Sequence, residues 1–370
     1  MKRICVVTAA RSEYGLLRWI IDEIHRSTDL ELQLVVTGGH LSPEQGLTYK
    51  FIEEDGYPIA EKIDMLVSSN DEVGIAKSMG LCSISIADTF KRLKPDMLVV
   101  LGDRYEQLSI VGTALVMRIP IAHISGGDIT EGAIDDEIRN ALSMMATLHF
   151  PGVEASAENL RRMRGTDKNI YTVGEPGLDS FMRMDLWSRL KLSENLNLDI
   201  NKRWCLVTLH SETKLTIDEN IAMTTALFDC MQEIDNCQFV ITKANTDLGG
   251  FAINNYWKDA VLQNEDKYRL ISSLGQIRYL SFMREVDVVI GNSSSGIVEA
   301  PFMGTPVVNI GSRQNGRFIC KNVICCGRTK EEIKDAIKKA MVAPKQIDKY
   351  WGDGHTSSRI IKHIREYLYL

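Results

Sequence analysis

Long apolar runs are missing from this 370-residue chain. None approaches the roughly 18 consecutive apolar residues that a membrane-spanning helix needs. The N-terminal stretch MKRICVVTAARSEYG has only a short apolar run that passes into a turn, so it reads as a first β-strand and not as a signal peptide. An excess of positive charge is missing too. Lys plus Arg number 43 against 49 Asp plus Glu, and the net charge of −6 argues against a nucleic-acid or membrane partner. Any bound phosphate must therefore be held by local donors. Metal-ligand spacing is also lacking. The eight cysteines (Cys5, Cys82, Cys205, Cys230, Cys237, Cys320, Cys325 and Cys326) form no CxxC pair and no Cys/His cluster, so no metal site is expected. They read as reduced core thiols of a cytoplasmic protein. There is no low-complexity tract and no short-period repeat.

What is present is a 44% hydrophobic chain, about two domains long, with material for two cores. Strands and helices alternate throughout. RICVVTAA precedes a turn, ARSEYG, and the helical LLRWIIDEIHRS; ELQLVVTGGH is a second strand; GIAKSMGLCSISIADTFKRL is a long helix. KPDMLVVLGDRYE and IPIAHISGG are strands on either side of the helix LSIVGTALVMR, and DDEIRNALSMMATLHF runs from helix into strand. The segment 182–202 is more polar, and a domain junction is expected there. The pattern then restarts with RWCLVTLHSET and continues through QFVITKANTDLGG, YRLISSLG and NVICCG to a last helix at the end of the chain. Apolar strands fit for burial on both faces predict an α/β fold of two doubly wound, Rossmann-like domains with a cleft between them. The expected boundaries are 1–180, 181–353, and a terminal helix over 354–370 packing back towards the first domain.

One stretch stands out: VVIGNSSSGIVEAPFMGTPVVN, 288–309. It reads as a buried strand, a small-residue turn over 291–296, a helix starting near Ile297, and a second strand. A helix start offers N–H groups without helical partners and partial positive charge, which suits an anion. Ser293, Ser294 and Ser295 add hydroxyls, and Glu299, one turn in, suits a ribose diol. A Gly/Ser turn taken alone fits a capped connection equally well.

In parallel sheets ligands lie at the carboxyl ends of strands. In the first half those ends carry Arg11, Ser12 and Glu13; His40; Asp103 and Arg104; and His123, Asp128 and Glu131, with Asp135, Asp136 and Arg139 opening the next helix. In the second half they carry His210, Ser211 and Glu212; Lys243, Asn245 and Asp247; Ser293, Ser294 and Glu299; and Arg313 and Gln314. Hydroxyls and cations in the second half suit a nucleotide diphosphate. Carboxylates and histidines in the first half suit acid–base work, and crowded carboxylates push one of their number to hold a proton. Bland readings stand beside these. One of Asp135 and Asp136 is a plain helix-dipole partner, Arg139 fits a surface ion pair, and His25, His149 and His363 fit core or surface positions.

Together, ARSEYG, GGHLSPEQG, GDRYE, GGDITEGAIDDEIRNA, ITKANTDLGG, GNSSSGIVEAP and GSRQNGR resemble the hydrolysing UDP-N-acetylglucosamine 2-epimerases over nearly the whole chain. The resemblance implies the glycosyltransferase-B architecture and conversion of UDP-GlcNAc and water to ManNAc and UDP, towards sialic acids. A close branch acts on UDP-2,4-diacetamido-2,4,6-trideoxyglucose. It implies no cofactor, UDP-sugar and UDP as partners, and a homodimer or homotetramer. By matched position, Arg11, His210, Ser293, Ser294, Glu299 and Arg313 would hold UDP, Arg104 and Asn245 would line the sugar–phosphate region, and Gly15 and Arg139 would be further substrate-binding residues. Asp103, Asp128, Glu131 and Asp135 would be the acid–base carboxylates, with His40 and His123 beside the sugar. The sequence departs from the family pattern at Asp128, where Glu is common and the carboxylate is drawn back by about 1.5 Å. It departs also at Ala9, Ala10, Ser125, Asn140 and Ser211. A UDP-sugar transferase on the same architecture and a non-catalytic UDP-sugar binder are the alternatives.

Overall fold

The apolar runs form strands because, in this sheet type, both faces are covered by helices. In the computed structural model the residues described are 1–44, 46–67, 72–129, 134–212, 214–244 and 249–369. The elements are β1 (Lys2–Thr8), α1 (Arg11–His25), β2 (Leu30–Thr37), α2 (Tyr49–Glu54), β3 (Ile59–Ile63), α3 (Glu72–Leu93), β4 (Met97–Leu101) and α4 (Tyr105–Val116). They continue with β5 (Ile121–Ile124), α5 (Asp135–Met145), β6 (Leu148–Phe150), α6 (Glu154–Arg164), α7 (Asp179–Arg183) and α8 (Arg189–Leu196). Next come β7 (Arg203–Thr208), α9 (Ile217–Gln232), β8 (Cys237–Thr242), α10 (Gly250–Val261), β9 (Tyr268–Ile271), α11 (Gly275–Glu285) and β10 (Val288–Gly291). The last are α12 (Ser294–Met303), β11 (Val307–Ile310), β12 (Val323–Cys326), α13 (Lys330–Val342) and α14 (Thr356–Tyr369).

The chain divides into two units, Met1–Met182 with Gly352–Leu370, and Arg183–Trp351. The first holds a parallel six-stranded sheet in the order β3-β2-β1-β4-β5-β6. Its strands alternate between two cores. Ile4, Val6, Val36 and Val99 pack with Leu17, Ile20 and Ile24 of α1 and with Ile360, Ile361 and Ile364 of α14. Cys5, Val7, Val35 and Val100 pack with Ile86 and Phe90 of α3 and Ile110 of α4. The second unit repeats the topology, order β12-β11-β10-β7-β8-β9, also parallel throughout. Here Val207, Ile241, Ile290 and Val308 pack with Leu227, Trp257 and Ile337. This is the expected fold class: two doubly wound Rossmann-like units, the parts of which the glycosyltransferase-B architecture is made.

Three boundaries differ from expectation. The turn expected at ARSEYG is already helix, because Glu13 reaches back to accept from Ala9 N (2.6 Å) and Ala10 N (3.1 Å) and so starts α1 at Arg11. The helix expected from Ile297 starts at Ser294, with Ser293 as its cap. The edge strand β3, IAEKI, escapes a search for apolar strands because only one face of it is covered. Cys325 is exposed rather than a core thiol. Among the described residues no helix is long and apolar enough to cross a membrane.

Candidate functional site

In a sheet of this order the crevice opens where the order reverses, at the carboxyl ends of the two central strands. Those are β1 and β4 in the first unit and β7 and β10 in the second.

At the first of these points Asp103, Arg104 and Asp135 line one cavity of about 410 Å³ together with Ser12, Glu13 and Tyr105. Asp103 is held by Arg139 Nη2. Arg139 is buried and also donates from Nη1 to Asp136 Oδ1 and to the Asp128 carbonyl, both at 2.8 Å, so it is a buried hub and not a surface pair. Asp135 opens α5. Burial, with the Asp103 charge as the next cause, raises its carboxyl above the ordinary range. A carboxylate fixed by a guanidinium beside a carboxyl that favours its proton is an arrangement able to take a proton at one point and give one at another. Arg104 lies fork-to-fork on Glu106 (2.7 and 3.2 Å), whose carboxylate is fully buried. Glu13, with its two backbone donors, is pushed up to about 7, burial outweighing those hydrogen bonds and the Arg104 charge.

Asp128 turns elsewhere. It accepts from Ser156 Oγ (2.5 Å) and lines a separate cavity of about 440 Å³ with Asp136, Asn140, Asn159 and Arg162. The four carboxylates expected in one crowd are therefore divided: Asp103 and Asp135 share a cavity, Asp128 does not line it, and Glu131 lies outside the described residues. His40 and His123 are enclosed and are not among the residues lining either cavity. His40 has Thr8 Oγ1 on Nε2 (3.0 Å) and Thr48 Oγ1 on Nδ1 (2.8 Å). His123 has the Gly102 carbonyl on Nε2 (2.8 Å) and Ser143 Oγ on Nδ1 (3.1 Å), which assigns its proton to Nε2. Burial lowers both rings to about 4, so both are neutral, and His123 braces the Gly102–Asp103 turn from below. Ser125, just past β5, sits at φ 59, one of seven non-glycine residues with positive φ among the described residues. Arg11 is exposed, with its guanidinium over the Phe51 ring at 5.1 Å, and Gly15 is half-buried in α1.

At the corresponding point of the second unit, Gly291 has φ 145, and a Cβ there would lie 2.0 Å from the Thr208 carbonyl. Only glycine lets β10 close on β7 in this way. Ser293 caps α12, Ser294 is exposed at its first turn, and Ser295 Oγ bonds Ser293 Oγ (3.0 Å) and Tyr279 OH (2.5 Å). Glu299 is half-buried in the second turn, and burial raises its carboxyl. His210 is half-buried after β7, and Arg313 is exposed after β11, where Glu212 accepts from Ser312 N (2.8 Å) and Oγ (2.7 Å). Asn245 lies outside the described residues. Asn292 and Glu106 escaped the sequence reading. Their signal was only position: Asn292 directly follows a strand, and Glu106 stands two residues after Arg104.

Two parallel sheets, each with a switch point at its central strands, define a doubly wound α/β protein, and comparison narrows the class. Residues 22–365 match the family described as UDP-N-acetylglucosamine 2-epimerase. The chain is 40% identical over 323 residues to the Campylobacter jejuni GDP/UDP-N,N'-diacetylbacillosamine 2-epimerase (hydrolyzing), covering 87% of this chain and 84% of the relative. It is 31% identical over 360 residues to the Legionella pneumophila UDP-N,N'-diacetylbacillosamine 2-epimerase (hydrolyzing), covering 97% and 94%. Its fold superposes on the UDP-GlcNAc-bound UDP-GlcNAc 2-epimerase of Neisseria meningitidis with a TM-score of 0.82 at 15% identity, covering 99% and 100%. The chain belongs to the UDP-N-acetylglucosamine 2-epimerase family, a family of UDP-sugar epimerases.

Proposed function

We propose that the protein is a hydrolysing 2-epimerase whose substrate is a UDP-linked 2-acetamido sugar, with UDP-2,4-diacetamido-2,4,6-trideoxyglucose as the first reading. The observation that carries the reaction type is the cavity at the β1/β4 switch point, lined both by the Arg139-held Asp103 and by Asp135, whose carboxyl is raised. Support for the sugar comes from the two relatives named for diacetylbacillosamine, at 40% and 31% identity. UDP-GlcNAc is the second reading, supported by the family description.

In the proposed reaction a carboxylate of the Asp103/Asp135 pair removes the proton from sugar C2. The C2–H electron pair forms the C1–C2 double bond, and the C1–O bond breaks with UDP leaving on the opposite face. Water then adds across the resulting 2-acetamidoglycal. Its oxygen bonds C1, and a proton returns to C2 on the other face, giving the free 2-epimeric sugar. Ser294, His210 and Arg313 hold the leaving nucleotide, with Glu299 on the ribose.

Incubation with each UDP-sugar in heavy water tests this directly. Release of UDP without any acceptor and one deuterium at C2 of the freed sugar are expected, faster with the diacetamido substrate. UDP release only when an acceptor is supplied would convert the reading to a transferase, and recovery of intact UDP-sugar would end it.

A further inference from the structure

Asn292 is the first residue after β10, and it is 1% exposed. Its Nδ2 donates to the His210 carbonyl (2.9 Å) and its Oδ1 accepts from His210 N (2.7 Å), so both backbone groups of His210 are bound by one amide. Its own N–H donates to the Thr208 carbonyl at 3.2 Å. Its carbonyl accepts from Gln314 Nε2 (2.8 Å) and Arg313 Nη1 (3.2 Å). Three segments thus converge on one buried residue: the β7 end bearing His210, the start of α12 bearing Ser293 and Ser294, and the turn after β11 bearing Arg313. A primary amide carries a donor and an acceptor side by side in one plane, so it can answer an N–H and a C=O of the same residue. An aspartate would set a second oxygen against the His210 carbonyl, and an alanine would leave that backbone pair buried without its partner.

We propose that Asn292 is the positioning residue of the nucleotide grip, fixing His210 and Arg313 relative to the α12 N-terminus so that all three reach one diphosphate. This rests on the UDP reading given above. It touches no substrate itself. Its effect passes through residues that do, and a displacement of about 1 Å in such groups can cost on the order of a hundredfold.

The test compares three variants of the full chain by UDP affinity in calorimetry, by kcat and KM with the turned-over UDP-sugar, and by melting temperature. Asn292→Ala is expected to weaken UDP at least about tenfold and raise KM in step, with kcat changed less, because the binding lost is common to ground and transition states. Gln314→Met, which removes one bond to the Asn292 carbonyl at a buried site, should weaken UDP by a smaller factor. Asn322→Ala is the control. It deletes a buried amide bond to the Thr305 carbonyl (2.6 Å) just ahead of β12, at the amino ends of the strands and not at the carboxyl ends that carry the site, and should lower the melting temperature while leaving UDP affinity unchanged. Equal loss of UDP affinity in Asn322→Ala and Asn292→Ala would reduce the effect to stability and overturn the proposal. Wild-type UDP affinity in Asn292→Ala would overturn it as well; if that variant does not fold, unchanged affinity in Gln314→Met decides against it. A wild-type protein that binds no UDP would overturn the parent reading along with this one, so the two failures are told apart.

Discussion

Asp103 stands at the end of an entirely buried strand and spends its charge on Arg139, so replacing it tests chemistry and structure together. Asp103→Asn keeps the shape and removes one carboxylate of the acid–base pair. Under the proposed mechanism UDP affinity stays near wild type while kcat falls by about 10²–10⁴, the usual contribution of a positioned acid or base. A kcat retained within about tenfold, a 1.4 kcal/mol effect, would remove Asp103 from the mechanism. Glu13 makes a different prediction. Its carboxyl titrates at about 7 in the fold against an ordinary 4.5, so the folded state holds the proton more tightly than the unfolded one. That stabilisation is complete below the unfolded value and is lost as pH rises to about 7. Gln107 Oε1 is buried without a partner among the described residues, and an amide flip would let it accept that proton. Glu13→Gln cannot lose a proton. Its stability relative to wild type should therefore rise by about 3 kcal/mol between pH 4.5 and 7 and stay level above. Parallel pH curves from chemical denaturation of the two proteins would refute this.

At the scale of elements, α12 shows what the sequence did and did not disclose. The strand, turn, helix and second strand were all legible, because β10 and β11 are buried without a break and the intervening residues are small. The helix starts three residues before the point that apolar spacing predicts, since Ser and Gly are weak helix formers and the cap that starts the helix is a side-chain contact. The shift changes roles. Ser293 is a cap, Ser295 is tied to Tyr279, and Ser294 alone presents an exposed hydroxyl. Ser293→Ala should accordingly cost about 1 kcal/mol of stability. Ser294→Ala should leave the melting temperature in place and weaken UDP by about tenfold or more, consistent with loss of one hydrogen bond to a charged group. Equal effects of the two on UDP would contradict the division. The histidines mark where pattern reading stopped. His40, His123 and His210 recur at strand ends, yet the rings of His40 and His123 are enclosed with both nitrogens engaged, and spacing cannot tell a ring that lines a cavity from one that braces the turn beneath it. Nor could spacing turn Asp128 towards Ser156, a contact across 28 residues of sequence.

For the molecule as a whole, the last helix decides whether the first unit is complete. After leaving the second unit at Trp351 the chain returns, and α14 lays Ile360, Ile361 and Ile364 against α1, all fully buried. Burial of three isoleucines is worth several kcal/mol in all. The helix is secured at its start by Asp179, itself fully buried, which accepts from Thr356 N and Ser357 N, both at 2.8 Å. Farther along, Arg365 makes a bidentate pair with Asp29 (3.0 Å each); this pair is half-exposed and contributes little. Asp179 is therefore the sensitive point. Asp179→Ala strands two buried N–H groups at the positive end of a helix, at roughly 1–3 kcal/mol each. For a unit of this size a loss of about 3 kcal/mol lowers the melting temperature by on the order of 8 °C. Because α14 belongs to the first unit, UDP affinity measured below the transition should not change, and proteolysis should cut first at the freed C-terminal helix. A melting temperature equal to wild type, or loss of UDP binding with α14 still protected, would show that Asp179 does not hold the helix in the way these contacts require.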